Sequence, residues 1–420
     1  MSNKKYIVYL GCSGFPYGMA EVQKMILISK SLVLTGNAVT VISRRGLHKI
    51  ESHPDLKVIG NYQGIDYVYT SGSPFRSDSF FVRNFLKIKA IVNEYLTLRK
   101  MKKNNQLDYA IISTNNYYHV LYYSFLSKVC RFKTILNYVE YYPGQKKKWY
   151  KFAKRLNDQL YDRYGPQLCD FNFPISDFLI RNFQKVVPDK KYLKIPVLTD
   201  IERYNGIEIK AGQKYILFCG DAAYDEIIKF NINAFERLND TSIFLYLVIG
   251  GSESDKQGVK DFIANSSCKD RIRFLTRLTD KELSTYNKNA IALLIPLRPT
   301  QQDEARFPHK IGEYLASGTP VISTNYGEVK HYFKDMEDML IADSYDINLF
   351  ADRMQFVVDN PELAEKIGIK GKNIVKNFFD YRAMGIVINE FLNTGLGRQP
   401  VQTQIKEQTK LKILLKDLEK

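Results

Sequence analysis

The sequence predicts an α/β protein with two parallel sheets, one in each half of the chain. Three observations carry that expectation. Short apolar runs alternate with helix-period stretches from Lys5 to about Leu392, the pattern of strands joined by crossover helices. The first run, Lys5–Leu10 (KYIVYL), ends in the loop Gly11-Cys12-Ser13-Gly14-Phe15-Pro16-Tyr17-Gly18 and is followed by an apolar-periodic helix over Met19–Leu34. That is how a nucleotide-type unit opens, although the spacing is not G-x-G-x-x-G. The third observation is Leu294–Tyr326 (LIPLRPTQQDEARFPHKIGEYLASGTPVISTNY), where a buried strand, a polar loop, a helix and a second buried strand follow in order.

The chain of 420 residues has room for two or three domains, and its 45% hydrophobic content is ordinary for a protein that buries a real core. Five cysteines (Cys12, Cys130, Cys169, Cys219, Cys268) are scattered and never form C-x-x-C. This argues for a reducing compartment, without a disulfide framework or zinc site. The first residues hold too short an apolar run for a signal peptide, and no stretch is long and apolar enough for a membrane span. The expectation is a cytoplasmic-side protein. Charge is uneven: residues 1–200 carry 31 Lys and Arg against 14 Asp and Glu, a balance of +17, and residues 201–420 carry 30 against 31, a balance of −1. Such asymmetry points the first half toward an anionic partner: a membrane surface, a substrate or a nucleic acid. No helix-turn-helix, zinc or RNA-binding signature accompanies it, which excludes a nucleic-acid reader.

Further strands are expected at Ala38–Ser43, Ile65–Thr70, Asp108–Ser113, Thr134–Val139 and Cys169–Ser176. Phe80–Lys103 reads as a helix whose closing cations suit its C-terminal dipole. Gln145–Tyr164 reads as a second basic helix. It places Lys146, Lys147, Lys148, Lys151, Lys154 and Arg155 beside Trp149, a composition that fits either an interfacial helix or a solvated flank. A linker is expected near Asp200–Gly212. Beyond it come strands at Lys214–Cys219, Ile243–Ile249, Arg271–Leu275, Ala290–Pro296 and Met339–Ala342. Helices alternate with them at Tyr224–Leu238, Asp255–Ala264 and Asp280–Asn287, and close the half at Asn348–Phe356, Glu362–Phe378 and Tyr381–Leu392.

In the central stretch Pro308 suits the first position of a helix that Gly318 stops. Lys310 and Glu313 share one helical face, and Ile311 and Leu315 mark the buried side. A helix N-terminus approached by Arg298, Arg306 and Lys310 is a place to hold phosphates. No D-x-D pair occurs in the chain, which agrees with a metal-independent site.

The run R-F-P-x-K-I-G-E-Y-L-A-S-G-T-P-V-I-S-T (Arg306–Thr324) resembles the nucleotide-sugar signature of family-4 retaining glycosyltransferases. The resemblance implies the GT-B architecture, two Rossmann-like domains with parallel sheets facing across a cleft. Its expected divisions are an acceptor-binding domain over 1–200, a nucleotide-sugar-binding domain over 201–378, a helix at 379–394 crossing back to the first domain, and a polar helical tail at 395–420. It implies transfer of a sugar from a nucleoside diphosphate to a hydroxyl acceptor, a glycan or a lipid-linked molecule, with no cofactor beyond the donor itself. The setting would be bacterial cell-surface polysaccharide or glycolipid assembly at the inner face of the membrane.

Residue by residue, Glu313 matches the second acid of the family's E-x7-E motif, which holds the ribose hydroxyls. The first acid should stand at Ala305. Glu304 and Asp303 lie just before it, a departure that bears on the role of Glu304 at the donor sugar. Arg306, Phe307 and Pro308 would start the helix under the phosphates. Relatives carry cations near Gly220, where this chain has Asp221, Asp225 and Glu226, so Arg298, Arg306 and Lys310 would supply the missing charge. In the first half Gly14 and Gly18 would let the backbone approach the donor, and His119 would stand beside the donor sugar. Tyr17 and Glu140 would meet the acceptor. A catalytically silent partner subunit that keeps the fold and the donor pocket is the alternative reading.

Overall fold

The computed structural model describes residues 4–18, 20–141, 152–210 and 212–395. They divide into two compact units, one running to Leu198 and resuming at Tyr381, the other spanning Thr199–Asp380.

The first unit contains β1 (Tyr6–Leu10), α1 (Ala20–Leu34), β2 (Ala38–Ser43), β3 (Ile59–Tyr62), β4 (Ile65–Tyr69), α2 (Phe80–Lys103), β5 (Tyr109–Ile112), α3 (Tyr117–Cys130), β6 (Lys133–Tyr138), α4 (Phe152–Leu168), β7 (Phe171–Pro174) and α5 (Asp177–Gln184). Its sheet runs β3-β4-β2-β1-β5-β6-β7. β1 sits at the centre, with Ile7 opposite Val39 on one side and Tyr109 on the other. Its residues Ile7–Leu10 are buried, which is why the central strands read as continuous apolar runs. One strand departs from the sequence reading. β3 pairs antiparallel with β4 through a two-residue turn in which Gln63 and Gly64 have φ of 54° and 84°, the twist-matched hairpin geometry. Its residues are half-buried or exposed, so no apolar run announced it.

The second unit contains β8 (Tyr215–Asp221), α6 (Asp225–Phe235), β9 (Phe244–Gly250), α7 (Glu253–Ala264), β10 (Ile272–Leu275), α8 (Asp280–Asn289), β11 (Ala292–Ile295), α9 (Gln301–Ala305), α10 (His309–Ser317), β12 (Val321–Thr324), α11 (Val329–Tyr332), β13 (Leu340–Ala342), α12 (Ile347–Asp359) and α13 (Pro361–Phe378). The sheet order is β10-β9-β8-β11-β12-β13, parallel throughout, with Leu294 opposite Phe218 and Ile322. The order reverses beside β8, the switch point at which open α/β sheets leave a crevice beyond their strand ends.

The last helix, α14 (Tyr381–Thr394), lies on α1 in the first unit. Gly385 permits the approach, because a Cβ there would fall 2.4 Å from the Ser31 carbonyl oxygen. Asn37 donates to Asn389 at 3.0 Å and the Tyr109 hydroxyl to the Leu392 carbonyl at 2.8 Å.

Helices α3, α5 and α9 stand where the sequence reading places none. Each is opened by a side-chain cap: Asn116 accepts from the His119 N–H, Ser176 from that of Leu179 and Thr300 from that of Asp303, each at 3.2 Å. Of the basic helix expected over Gln145–Tyr164, the described part is α4 from Phe152 on. The basic cluster at Lys146–Lys151 and the tail beyond Gly395 lie outside the described residues. Among the described residues, no helix is long and apolar enough to cross a membrane.

Candidate functional site

In the second unit, chemistry-bearing side chains gather at the C-terminal ends of β8 and β11 and at the start of α10. The helix begins one residue later than expected. His309 is its first residue, and Pro308, with φ −63° and ψ 129°, stands as the N-cap. Proline cannot cap with a side chain, and no side-chain cap closes this helix start. Gly318 ends the helix in the left-handed conformation, φ 83°.

The three expected cations do not stand equally free. Asp303 is fully buried and holds two of them. Arg298 reaches it through Nε at 3.0 Å and Nη2 at 3.2 Å, and Arg306 through Nη2 at 2.5 Å. The Arg298 backbone N–H also donates to Asp303, at 2.9 Å. Glu226 meets Arg298 Nη1 at 3.3 Å. The first turn of α6 thus supplies counter-charge, and Arg298 and Arg306 together carry far less net charge than the sequence suggested. Arg306 also lies over the Tyr224 ring, 5.3 Å from its centroid. Lys310 makes no ion pair or hydrogen bond among the described residues. Its charge lies close enough to oppose the rise that burial imposes on the Cys219 thiol at the end of β8.

Glu313 is on the same helix, half-buried, and Arg203 Nη1 holds its Oε1 at 2.9 Å. Arg203 comes from a one-turn helix at Ile201–Tyr204, its Nε donating to Ser284 at 3.2 Å. The Tyr204 hydroxyl donates to the Glu313 carbonyl at 2.7 Å. Glu304, half-buried at the end of α9, hydrogen-bonds the Tyr326 hydroxyl, and the following Ala305 is buried. Phe307 corrects the reading of its side chain. The ring is buried against Tyr332 (5.4 Å, stacked) and Phe379 (5.5 Å, edge-on), so only its backbone faces the helix start. Gly220 is sterically required, since a Cβ there would lie 2.6 Å from the Phe218 ring.

In the first unit, Gly14 has φ 85° and Gly18 packs where a Cβ would strike Val22. Gly14 is set by its left-handed backbone and Gly18 by packing against Val22. Tyr17 is exposed and stacks on His53 at 4.0 Å, with His48 edge-on at 6.1 Å. His119 is in the first turn of α3, its Nδ1 3.5 Å from the Thr114 hydroxyl. Burial, then the charges of Arg44 and Arg45, lower its pKa to about 4, so the imidazole is neutral at pH 7. Arg44 is itself locked. Its Nε meets buried Glu94 at 2.7 Å, Tyr123 donates to the other Glu94 oxygen at 3.0 Å, and the guanidinium lies 4.6 Å and 4.8 Å from the Tyr122 and Tyr123 ring centroids. Glu140, just past β6, lies within electrostatic reach of Lys24. That lysine is 4% exposed, its ammonium makes no hydrogen bond among the described residues, and burial lowers its pKa to about 7. In the same unit a hydrogen-bonded chain runs from Asn137 to Ser113 (3.2 Å) and on to Glu21 (3.3 Å).

Sequence reasoning missed Asp303 as a shared counter-ion, and it missed Arg203, Arg44 and Lys24. Only Asp303 carried a signal, its three-residue spacing to Arg306.

The fold is that of the GT-B glycosyltransferases, an α/β chain with two parallel-sheet domains. Residues 201–374 match the family described as glycosyl transferases group 1. The chain is similar to the 2-deoxystreptamine N-acetyl-D-glucosaminyltransferase of Niallia circulans, 22% identical over 171 residues. That alignment spans 40% of this chain and 43% of the relative. Among solved structures it resembles sucrose-phosphate synthase from Thermosynechococcus elongatus, at TM-score 0.69 and 15% identity, covering 93% of this chain and 98% of that one. It also resembles HepE of Anabaena in complex with UDP and glucose, at TM-score 0.65 and 14% identity, covering 92% and 99%.

Proposed function

We propose that the protein is a glycosyltransferase that moves a sugar from a nucleoside-diphosphate sugar to an acceptor hydroxyl, with retention and without a metal. The observation that carries this reading is the start of α10. A helix start with no side-chain cap, Lys310 with no ion pair among the described residues and Glu313 held by Arg203 stand together on one helix at the sheet's C-terminal edge. In such a transfer the leaving diphosphate gains negative charge as the glycosidic bond breaks, and donors fixed at that position lower the barrier. The helix N-terminus and Lys310 are the groups placed to do so. Arg298 and Arg306, braced by Asp303, would present their remaining N–H donors. Glu313 would accept from the ribose hydroxyls with the oxygen that Arg203 does not hold. In the first unit His119, neutral at pH 7, would hydrogen-bond a sugar hydroxyl and would not serve as an acid, while Tyr17 and Glu140 would meet the acceptor.

The proposed setting is assembly of a cell-surface polysaccharide or glycolipid at a membrane surface, which the +17 balance of residues 1–200 favours. The match of residues 201–374 to glycosyl transferases group 1 supports the donor side of this reading. One observation favours a silent partner subunit instead: Asp303 offsets two of the three cations meant for the diphosphate. Calorimetry with UDP-, GDP- and ADP-sugars, followed by transfer assays in excess EDTA, separates the two. Donor binding with turnover that survives the chelator is expected. Binding without turnover on any acceptor assigns the silent subunit, and abolition by EDTA with rescue by magnesium rejects metal-independent chemistry.

A further inference from the structure

The outer face of α2 is apolar where a helix on a soluble protein carries charge. Phe81, Phe85, Ile88, Val92 and Leu96 recur at spacings of four, three, four and four residues and are 83%, 66%, 67%, 52% and 51% exposed. Ala90, Glu94 and Leu98 form the opposite, buried side. The neighbouring α3 repeats the arrangement: Leu121, Phe125 and Val129 are exposed while Val120, Tyr123 and Ser127 are buried. The two helices are tied by the Tyr122 hydroxyl, which donates to the Ile91 carbonyl at 3.5 Å. Scattered apolar side chains on a surface need no explanation, but two adjacent helices both aligned outward mark an interaction surface.

Charge selects the occupant. α2 carries Arg83, Lys87, Lys89, Arg99, Lys100, Lys102 and Lys103, and its single acid, Glu94, is buried against Arg44. Arg99 and Lys103 continue the Phe81–Leu96 stripe at helical spacing. A second copy would bring two strongly basic halves together, which repel. An anionic bilayer attracts the cations and accepts the aromatic and aliphatic side chains between its headgroups, the composition of a helix lying in the interface plane.

We propose that α2 and α3 form the membrane-docking face of this protein, with Phe81, Phe85 and Ile88 entering an anionic lipid surface and the cations of α2 pairing with headgroups. The proposal deepens the membrane-surface part of the proposed function and places the contact on described helices, apart from the cluster at Lys146–Lys148.

The test is co-sedimentation of the full chain with phosphatidylglycerol vesicles and with phosphatidylcholine vesicles across a salt series. Two triple variants accompany the parent, Phe81→Glu/Phe85→Glu/Ile88→Glu and Lys146→Glu/Lys147→Glu/Lys148→Glu. The α2 positions are exposed, so circular dichroism and melting temperature should match the parent. Binding to anionic vesicles, weakened about tenfold or more by the α2 variant with nucleotide-sugar affinity unchanged, supports the proposal. Parent-like binding by the α2 variant, or loss confined to the Lys146–Lys148 variant, overturns it. So does a concentration-dependent dimer, seen by sedimentation equilibrium, that the α2 variant abolishes. Nucleotide-sugar affinity is read separately, so vesicle binding by a chain that binds no donor leaves the docking face standing and sinks the transferase.

Discussion

Arg203 reaches across 110 residues of sequence to hold the Glu313 carboxylate at 2.9 Å, leaving one of its oxygens unclaimed by that arginine. If that oxygen receives the ribose, Glu313→Ala should weaken nucleoside-diphosphate binding by about 1.5–3 kcal/mol, the worth of a hydrogen bond to a charged group. Arg203→Met should weaken it less, by freeing the carboxylate to turn. Calorimetry with UDP checks both, and parent-like affinity in Glu313→Ala would remove the residue from the donor pocket.

Asp303 is buried between two guanidiniums, and its loss leaves both without their nearest counter-charge. Asp303→Ala should lower unfolding stability by about 3–5 kcal/mol, the usual cost of breaking a buried ion pair from one side. Asp303→Asn, which keeps the shape, should cost less and tighten diphosphate binding at low salt through the unmasked cations. Urea titration reads the first effect. Diphosphate affinity that fails to rise in Asp303→Asn would show that the two arginines do not face the donor.

Lys24 titrates near 7 in the folded chain against about 10.5 in a model peptide. Between those values the unfolded chain binds the extra proton, so stability rises with pH across that window. As pH falls the benefit shrinks, and below about 7 the buried charge weighs fully against the fold. Lys24→Met should therefore raise the melting temperature most at pH 6 and hardly at pH 10.5. A gain independent of pH would mean that packing, and not charge, limits stability at α1.

His119 titrates near 4, so it carries no charge through the neutral range. Its titration should leave no step in kcat/KM between about pH 5.5 and pH 8. His119→Ala should lower kcat/KM about tenfold or more, and His119→Asn, which keeps a donor and an acceptor, should recover part of the loss. A step near pH 6.5 that His119→Ala abolishes would make the residue an acid or base.

The sequence by itself determined what depends on near neighbours. Alternating apolar runs and helix-period stretches specified the α/β class, because burial on both sheet faces demands continuous apolar strands. The central stretch displayed its strand, helix and Gly318 stop because proline and glycine act on their own backbone angles. Helix α3 was illegible because its aromatic-rich run blurs the apolar face, and α5 because eight residues, with Leu179, Ile180 and Phe183 buried, are too few for a period to stand out; only a capping asparagine or serine marks their starts. Apart from the Asp303–Arg306 pair, three residues apart, the tertiary structure decided which charges meet. Arg298 and Arg306 read as phosphate ligands until the fold brought Asp303 between them. Glu313 could not be seen with Arg203, nor Arg44 with Glu94, because an ion pair depends on distance in space and leaves no period along the chain.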